Sequence, residues 1–484
     1  MGRDVFWQDA TPVGEGPSLD AGATEVLAER LRQINDRRLM KGLVSTALAH
    51  MLREPVDVVE HEVQYCKVKP WPDINLALQV TLRCATGGLR RCHLSCTIRP
   101  KTSNALEQFE DEVSRRSDRS IAVVPEMAMI VRLFPCDLVL TGLGAATNES
   151  GMIALLRAHL PPREDDCRPG ALRYEVVHYK PERLCTLRYT VQLIHPTNRL
   201  TGVTDVYGKV YCDDRWKSSH EFQSAMWRAA SASDNVWRTA RPVVCVPEAR
   251  FVLQEAVEGR PFRRVFDELT QDDASEAELT QAVRLLTAVA RTVRLMQRAP
   301  VLLGPRLDFA TLWGNQARNL PYLDHSYPRL GRELARLRTA LARFEGRVGS
   351  LPLGPAHGDF AYANVLVDNG VVGVIDFDKG GQAEPAYDPA YFLTHLSSFG
   401  IRHPKRLRHV TRLCEVFRHA YLGFAPEVPP HRLALYEALD LVAYVLRNFK
   451  KQSHQPNWVP WADAQIACAW ERLTWATRQR RCAS

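Results

Sequence analysis

Apolar residues recur along this chain in two distinct periods. Residues 24–53 carry Leu27, Leu31, Ile34, Leu39 and Leu43 at helical spacing, which predicts an amphipathic helix behind a polar, Pro- and Gly-rich leading segment. From about residue 55 to 260 the pattern shortens to runs of β-branched and aromatic residues, as in 184–193 (LCTLRYTVQL) and 204–212 (TDVYGKVYC), which predict strands. Beyond residue 260 the helical period returns. Ser275-Glu-Ala-Glu278 forms a capping box ahead of an amphipathic stretch at 277–298. Further helical stretches lie near 406–421, 431–449 and 463–479, broken by Pro429-Pro430 and by the prolines between 456 and 460. Strands first and helices afterwards predict an α+β architecture.

One strand pair interrupts the helical half. Residues 355–377 read PAHGDFAYANVLVDNGVVGVIDF. Two β-branched runs flank Asp368-Asn369-Gly370, a tight-turn signal because Asn and Gly tolerate positive φ. Asn364 therefore stands at the start of one strand and Asp376 at the end of its partner, and antiparallel pairing brings them together. His357-Gly358-Asp359 lies in the loop just before. Phosphoryl transfer asks for this set: a carboxylate to orient an attacking hydroxyl, and oxygen ligands to hold Mg²⁺ against phosphates.

HGD followed by four residues and Asn, then IDFD after a hairpin, resembles the aminoglycoside phosphotransferase and choline kinase group, which has a protein-kinase-like fold. The resemblance implies that Asp359 is the catalytic base, that Asn364 and Asp376 bind Mg²⁺, and that His357 is structural. Asp388 matches the acidic residue that ends the metal segment. Asp378 stands where protein kinases carry glycine, a substitution ordinary in small-molecule kinases.

The resemblance also organises the residues upstream. Lys209, inside the predicted strand 204–212, is placed as the phosphate-binding lysine. Glu221, the single carboxylate of the helical segment 220–232, is placed as its ion-pair partner; an acid in a first helical turn is equally what the macrodipole favours. Residues 243–259 read as two strands around a Pro-Glu turn and correspond to the hinge, where the backbone of Glu255 and Val257 would meet adenine. The turn over the phosphates falls at 178–185 (HYKPERLC) and contains no glycine. Lys180 and Arg183 either supply phosphate contacts by side-chain charge or are solvated charges at a hairpin turn.

Residues 63–80 resemble 174–191, with Lys69-Pro70 aligning on Lys180-Pro181, and Val123-Val124-Pro125-Glu126 resembles Cys245-Val246-Pro247-Glu248. This self-similarity points to a degenerate copy of the small β lobe, without an equivalent of Lys209. The expected organisation is therefore a helical extension at 1–54, the degenerate β-rich copy at 55–169, an ATP-binding small lobe and hinge at 170–260, and a helical large lobe at 261–484. The whole would be a bilobal protein-kinase-like fold.

Composition narrows the class. Among 484 residues, 45% are hydrophobic and 24% charged, ordinary for a globular protein. No run of about 18 apolar residues appears, so no membrane span is expected. Twelve cysteines are scattered without any CxxC, and Cys92 and Cys96 read as half-buried thiols rather than metal ligands. With no apolar export signal at the start, this usage points to the cytoplasm. Between Ile401 and Ser484, fourteen Lys/Arg stand against six Asp/Glu. That balance favours a neutral or anionic alcohol or sugar as acceptor over a polycationic aminoglycoside, with Arg447 as a candidate anion contact. No recognition motif for nucleic acid accompanies the basic residues. The expected activity is ATP- and Mg²⁺-dependent transfer of the γ-phosphate to a small-molecule hydroxyl. The alternatives are a catalytically silent kinase-like scaffold and, further off, a protein kinase; oligomeric state is not legible.

Overall fold

A computed structural model describes residues 29–483 except 31, 69–72, 84–86, 100–104, 115–119, 161–166, 196, 198–199, 235, 318–319 and 453–456. Leu27, Leu31, the polar leading segment and the Lys69-Pro70 pair lie outside the described residues. The chain divides into two compact units, one built from Asp20–Lys217 with Pro242–Ala256, the other from Ser218–Arg241 with Val257–Ser484.

The first unit holds two antiparallel sheets. Helix α1 (Arg37–Leu52) opens on Asp36, whose carboxylate accepts from the amides of Arg38 and Leu39. Strands β1 (Asp57–Val68), β2 (Ile74–Arg83) and β3 (Leu89–Ile98) follow, then helix α2 (Ala105–Ser114), β4 (Ile121–Val124) and β5 (Met129–Leu133). They pair in the order β1-β2-β3-β5-β4. After the linking helices α3 (Leu143–Ala146) and α4 (Glu149–His159) come β6 (Arg168–Lys180), β7 (Leu184–Ile194) and β8 (Leu200–Tyr211). The chain then passes through α5 (Arg215–Ser231) and β9 (Trp237–Thr239) to β10 (Pro242–Val246) and β11 (Phe251–Glu255). This second sheet is ordered β6-β7-β8-β11-β10, the same succession as the first.

The likeness reaches individual dihedrals. Each sheet's last hairpin turns through a 3₁₀ segment, Pro125–Met127 or Pro247–Ala249. Val124 and Val246 share φ −118° and ψ 92°, while Ala128 and Arg250 leave the turn at φ 46° and 47°.

Period-two alternation explains how the second sheet is covered. Along β7, Cys185, Leu187, Tyr189 and Val191 are buried while the residues between them are less so. That face packs against Leu140, Leu143, Ala146, Met152 and Leu156 from the segment joining the sheets. Tyr189 Oη donates to the carbonyl of Ala146 at 2.7 Å, satisfying its buried hydroxyl. At Gly142 a Cβ would lie 2.0 Å from the carbonyl oxygen of Ala249, so only glycine permits this approach.

The second unit is mainly helical. It contains β12 (Arg260–Pro261), α6 (Phe262–Leu269) and α7 (Glu276–Gln297), the last opened by the expected capping box of Ser275 and Glu278. Three helices that the periodicity did not single out follow: α8 (Phe309–Ala317), α9 (Leu320–Ser326) and α10 (Pro328–Val348). Then come β13 (Gly354–Ala356), β14 (Val365–Asp368), β15 (Val371–Val374) and β16 (Gly381–Ala383). The chain closes with α11 (Tyr387–Arg402), α12 (Leu407–Phe424), α13 (Pro430–Gln452) and α14 (Trp458–Ala483). The expected hairpin is β14–β15, with Asp368 opposite Val371, and β9 extends it in parallel along β15. One apolar core runs from α5 to α14. Within it Arg432 is almost wholly buried, and its Nε donates to Glu384 Oε2 at 2.6 Å, tying α13 to the loop that leads into α11.

Candidate active site

The HGD loop is held from behind. Asp388, at the start of α11 and fully buried, accepts the amide of His357 at 2.6 Å and that of Gly358 at 3.1 Å. His357 is also fully buried; its Nε2 bonds the carbonyl of Ile375 at 2.9 Å, and its Nδ1 accepts the amide of Asp359 at 3.2 Å. Those partners define the neutral tautomer with the proton on Nε2. Gly358 has φ 76°, and a Cβ there would sit 2.0 Å from the Lys379 carbonyl oxygen. The residue type is forced twice over, by conformation and by space. His357 is thus structural, and Asp388 is the anchor that fixes the loop.

The carboxylate so presented is Asp359. Lys379 Nζ lies 2.8 Å from its Oδ2, and the Tyr391 hydroxyl donates to its Oδ1. Burial alone would raise the pKa of Asp359, but the Lys379 ammonium and these two hydrogen bonds hold it far below the usual carboxylate range. Asp359 is ionised at any physiological pH. Its carbonyl accepts from Asn364 Nδ2 at 2.9 Å. That bond fixes the orientation of the carboxamide and leaves Asn364 Oδ1 as the acceptor available to a cation. Ile375 N donates to Asn364 O at 3.0 Å, continuing the hairpin ladder, and Asp376 follows with φ 72°. The hairpin register sets Asp376 across from Asn364, and the Asn364–Asp359 bond ties the HGD loop to that end of the hairpin. Asp378 Oδ1 accepts from the hydroxyl of Ser219 at 2.8 Å, linking the IDFD segment to α5.

Beside Asp359 stands a cationic and aromatic wall that sequence reading found only in part. Arg447 donates to Tyr391 Oη at 3.0 Å and to Asp440 Oδ1 at 3.3 Å, and its guanidinium lies over the rings of Tyr391 and Tyr444 at 4.8 and 5.4 Å. Asp440 is buried, which pushes its carboxyl up to about 6 despite Arg447. Tyr391 stacks on His395 at 4.8 Å, and burial with nearby Arg447 pushes that imidazole down to about 3. Arg402 lies 6.0 Å from the Tyr444 ring. Lys379 and Tyr391 were not singled out from the sequence; Lys379 directly follows IDFD, and Tyr391 lies one helical turn beyond Asp388, so position relative to the motif was the available signal.

The remaining candidates are divided between the two units. Lys209 is buried in β8, paired with Thr186 of β7 and Val252 of β11. The preceding Gly208 is required, because a Cβ would lie 2.5 Å from the Phe251 ring. Side chains alternate along β8, so Lys209 faces away from the side on which Val206 and Val210 pack. Lys180 and Arg183 flank the β6–β7 turn, where the Arg183 amide donates to the Lys180 carbonyl at 3.0 Å. Glu255 ends β11, and Val257 begins the helical unit. Glu221 occupies an exposed position on α5, assigned to that same unit.

Residues 226–436 match the family model described as the phosphotransferase enzyme family (APH), which bears out the resemblance carried by HGD, Asn364 and IDFD. The described elements are α+β, antiparallel sheets followed by helices, as expected. Similar solved structures include a choline/ethanolamine kinase family protein from Mesorhizobium loti, at 14% identity over 68% of this chain and 98% of that one, with a TM-score of 0.41. Choline kinase LicA from Streptococcus pneumoniae is 12% identical over 63% of this chain and 93% of its own, with a TM-score of 0.39. A thermostable mutant of aminoglycoside phosphotransferase APH(4)-Ia, in ternary complex with ADP and hygromycin B, is 14% identical over 69% and 98%, with a TM-score of 0.41. No curated protein sequence matches this chain. Among the described residues no helix is long and apolar enough to cross a membrane.

Proposed function

We propose that this phosphotransferase moves the γ-phosphate of ATP to a hydroxyl of a small, neutral or anionic molecule in the cytoplasm. The observation that carries the proposal is the loop geometry: Asp388 and His357 fix Asp359 beside Asn364, the arrangement that phosphoryl transfer to a hydroxyl requires.

Asp359 orients the acceptor hydroxyl and takes its proton as transfer proceeds. Held ionised by Lys379 and Tyr391, it is a weak base, which suits a transition state in which bond breaking leads and the proton leaves late. Lys209 serves the phosphates, and Lys180 and Arg183 add charge from the turn. The backbone of Glu255 and Val257 meets adenine. Mg²⁺ would be held by Asn364 and Asp376, and when bound it neutralises charge on the phosphates. The donor set fits that ion. Both residues offer hard oxygens, and among the described residues no group of three or more His, Cys, Asp or Glu competes as a closed metal cage.

Arg402 and Arg447, beside Tyr444 and Tyr391, support an acceptor without a high positive charge; Lys379 and Arg447 are themselves paired with Asp359 and Asp440, so the surplus positive charge is that of Arg402. The test is isothermal titration of the protein with Mg·ATP, and separately with ATP plus EDTA. Micromolar binding that needs the metal supports the reading; indifference to both nucleotide and metal overturns it.

A further inference from the structure

We infer that the amino-terminal sheet is a brace on the glycine-free turn of the second sheet, doing there what glycine does in an ordinary phosphate-covering turn. Its functional consequence rests on the nucleotide-binding reading above; the brace itself does not.

The turn makes an unusual demand of its residues. Lys180 and Leu184 close it, Pro181 and Glu182 are its first two inner residues, and the Arg183 amide returns to the Lys180 carbonyl. Proline fixes φ near −65°, so the φ of +62° at Glu182 makes this a type II turn, whose second central position calls for glycine. A glutamate there is strained unless something outside the turn holds it.

The holder is Asp137, in the segment just after β5. This buried carboxylate accepts the Glu182 amide at 3.0 Å and the Tyr179 hydroxyl at 2.7 Å through Oδ2. Through Oδ1 it accepts the amides of Val139 and Leu140 at 2.9 and 3.0 Å, which locks its own loop. Asn75 of β2 reaches the same residue from another strand, donating from Nδ2 to Glu182 Oε2 at 3.3 Å. Phe134 packs edge-on against Tyr179 at 5.5 Å, behind the turn. Three parts of the first sheet and its exit segment therefore converge on one turn of the second.

Asn75 shows that this grip is not simply good packing. It is 2% exposed, and its Oδ1 is buried without a hydrogen-bond partner. A side chain that leaves a polar atom unsatisfied lowers stability, so what it contributes is its single bond to Glu182. Asp137 and Asn75 are thus positioning residues: they fix Glu182, and through it the presentation of Lys180 and Arg183.

Asp137→Asn separates the brace from bulk. The amide can still accept from Val139 and Leu140, but it turns an N–H toward the Glu182 amide. Asn75→Ala removes the second grip, and the cost of its lost buried volume is read separately as the change in melting temperature. The experiment is amide hydrogen exchange across residues 178–184, with the dissociation constant of Mg·ATP measured on the same samples. The expected result is exchange at Glu182 at least about tenfold faster in Asp137→Asn and several-fold faster in Asn75→Ala, in each case beyond what the change in melting temperature accounts for. The nucleotide dissociation constant should rise by about the same factors. Adding Glu182→Gly to Asp137→Asn should recover most of the affinity, because glycine adopts that φ unaided. Wild-type exchange at Glu182 in both single variants overturns the brace, as does a glycine double variant no better than Asp137→Asn. If the wild-type protein binds no nucleotide, the functional reading fails, and exchange at Glu182 alone decides the brace. If Asp137→Asn does not fold, Asn75→Ala decides it.

Discussion

Lys379 places its ammonium 2.8 Å from Asp359 Oδ2, so the carboxylate at the centre of the site is ion-paired by the protein itself. Both partners reach solvent in part, and the Tyr391 hydroxyl occupies the other carboxylate oxygen. Asp359 is therefore kept ionised and pointed by the residue that directly follows IDFD.

Replacing Lys379 by Gln should move the acid limb of the kcat/KM profile. The ammonium holds the Asp359 pKa down, so its loss lets burial push that pKa up, and activity should fall away at higher pH than in the wild type. A displacement of about one pH unit or more is expected. An unmoved limb would separate Lys379 from the state of Asp359.

Asp388→Asn should damage the loop rather than the chemistry directly. The buried carboxylate accepts two backbone amides, and an asparagine replaces one acceptor with a donor facing an N–H. A loss of roughly 3 kcal/mol of unfolding free energy is expected, with turnover reduced in proportion to the misplacement of Asp359. Chemical denaturation and initial rates on the same preparation check it.

His395 gives the fold a pH dependence. Burial, helped by Arg447, lowers its pKa to about 3, against the ordinary 6.5 in the unfolded chain. The unfolded state therefore binds more protons between these values, and this residue's contribution is complete above pH 6.5 and lost as pH falls toward 3. The raised carboxyl of Asp440 acts in the opposite sense below about pH 6, so the informative quantity is a difference. Relative to wild type, His395→Phe should gain stability on going from pH 7 to pH 5, by roughly 2 kcal/mol at most. Parallel denaturation curves at the two pH values read it directly.

Arg447→Met tests the character of the acceptor. With an anionic acceptor its KM should rise about tenfold or more while KM for Mg·ATP stays put. With a neutral acceptor the KM should move little.

What was legible of the candidate site in the sequence is what is local. Asp359, Asn364 and Asp376 sit on one loop and one hairpin, and Asp368-Asn369-Gly370 fixes that hairpin's register. The self-similarity of residues 63–80 and 174–191 likewise has its counterpart in two sheets of the same strand order. What escaped were relationships between distant segments. Tyr391 bears on Asp359 across 32 residues and Arg447 on Tyr391 across 56, through packing of α11 against α13 that no spacing encodes. The brace on Glu182 escaped for the same reason, since Asn75 lies 107 residues away. Between 309 and 348, amphipathic helices went unassigned: α10 buries Leu330, Leu334, Leu337 and Leu341 but is masked in the sequence by its many arginines.

The most direct test of the central claim is ADP release from Mg·ATP with a panel of sugars, sugar phosphates, hydroxy acids, amino alcohols and aminoglycosides, run beside Asp359→Asn. The account predicts turnover with a neutral or anionic hydroxyl compound and its loss by about three orders of magnitude in the variant. Equal turnover in the variant and the wild type, or transfer confined to polycationic aminoglycosides, would contradict it.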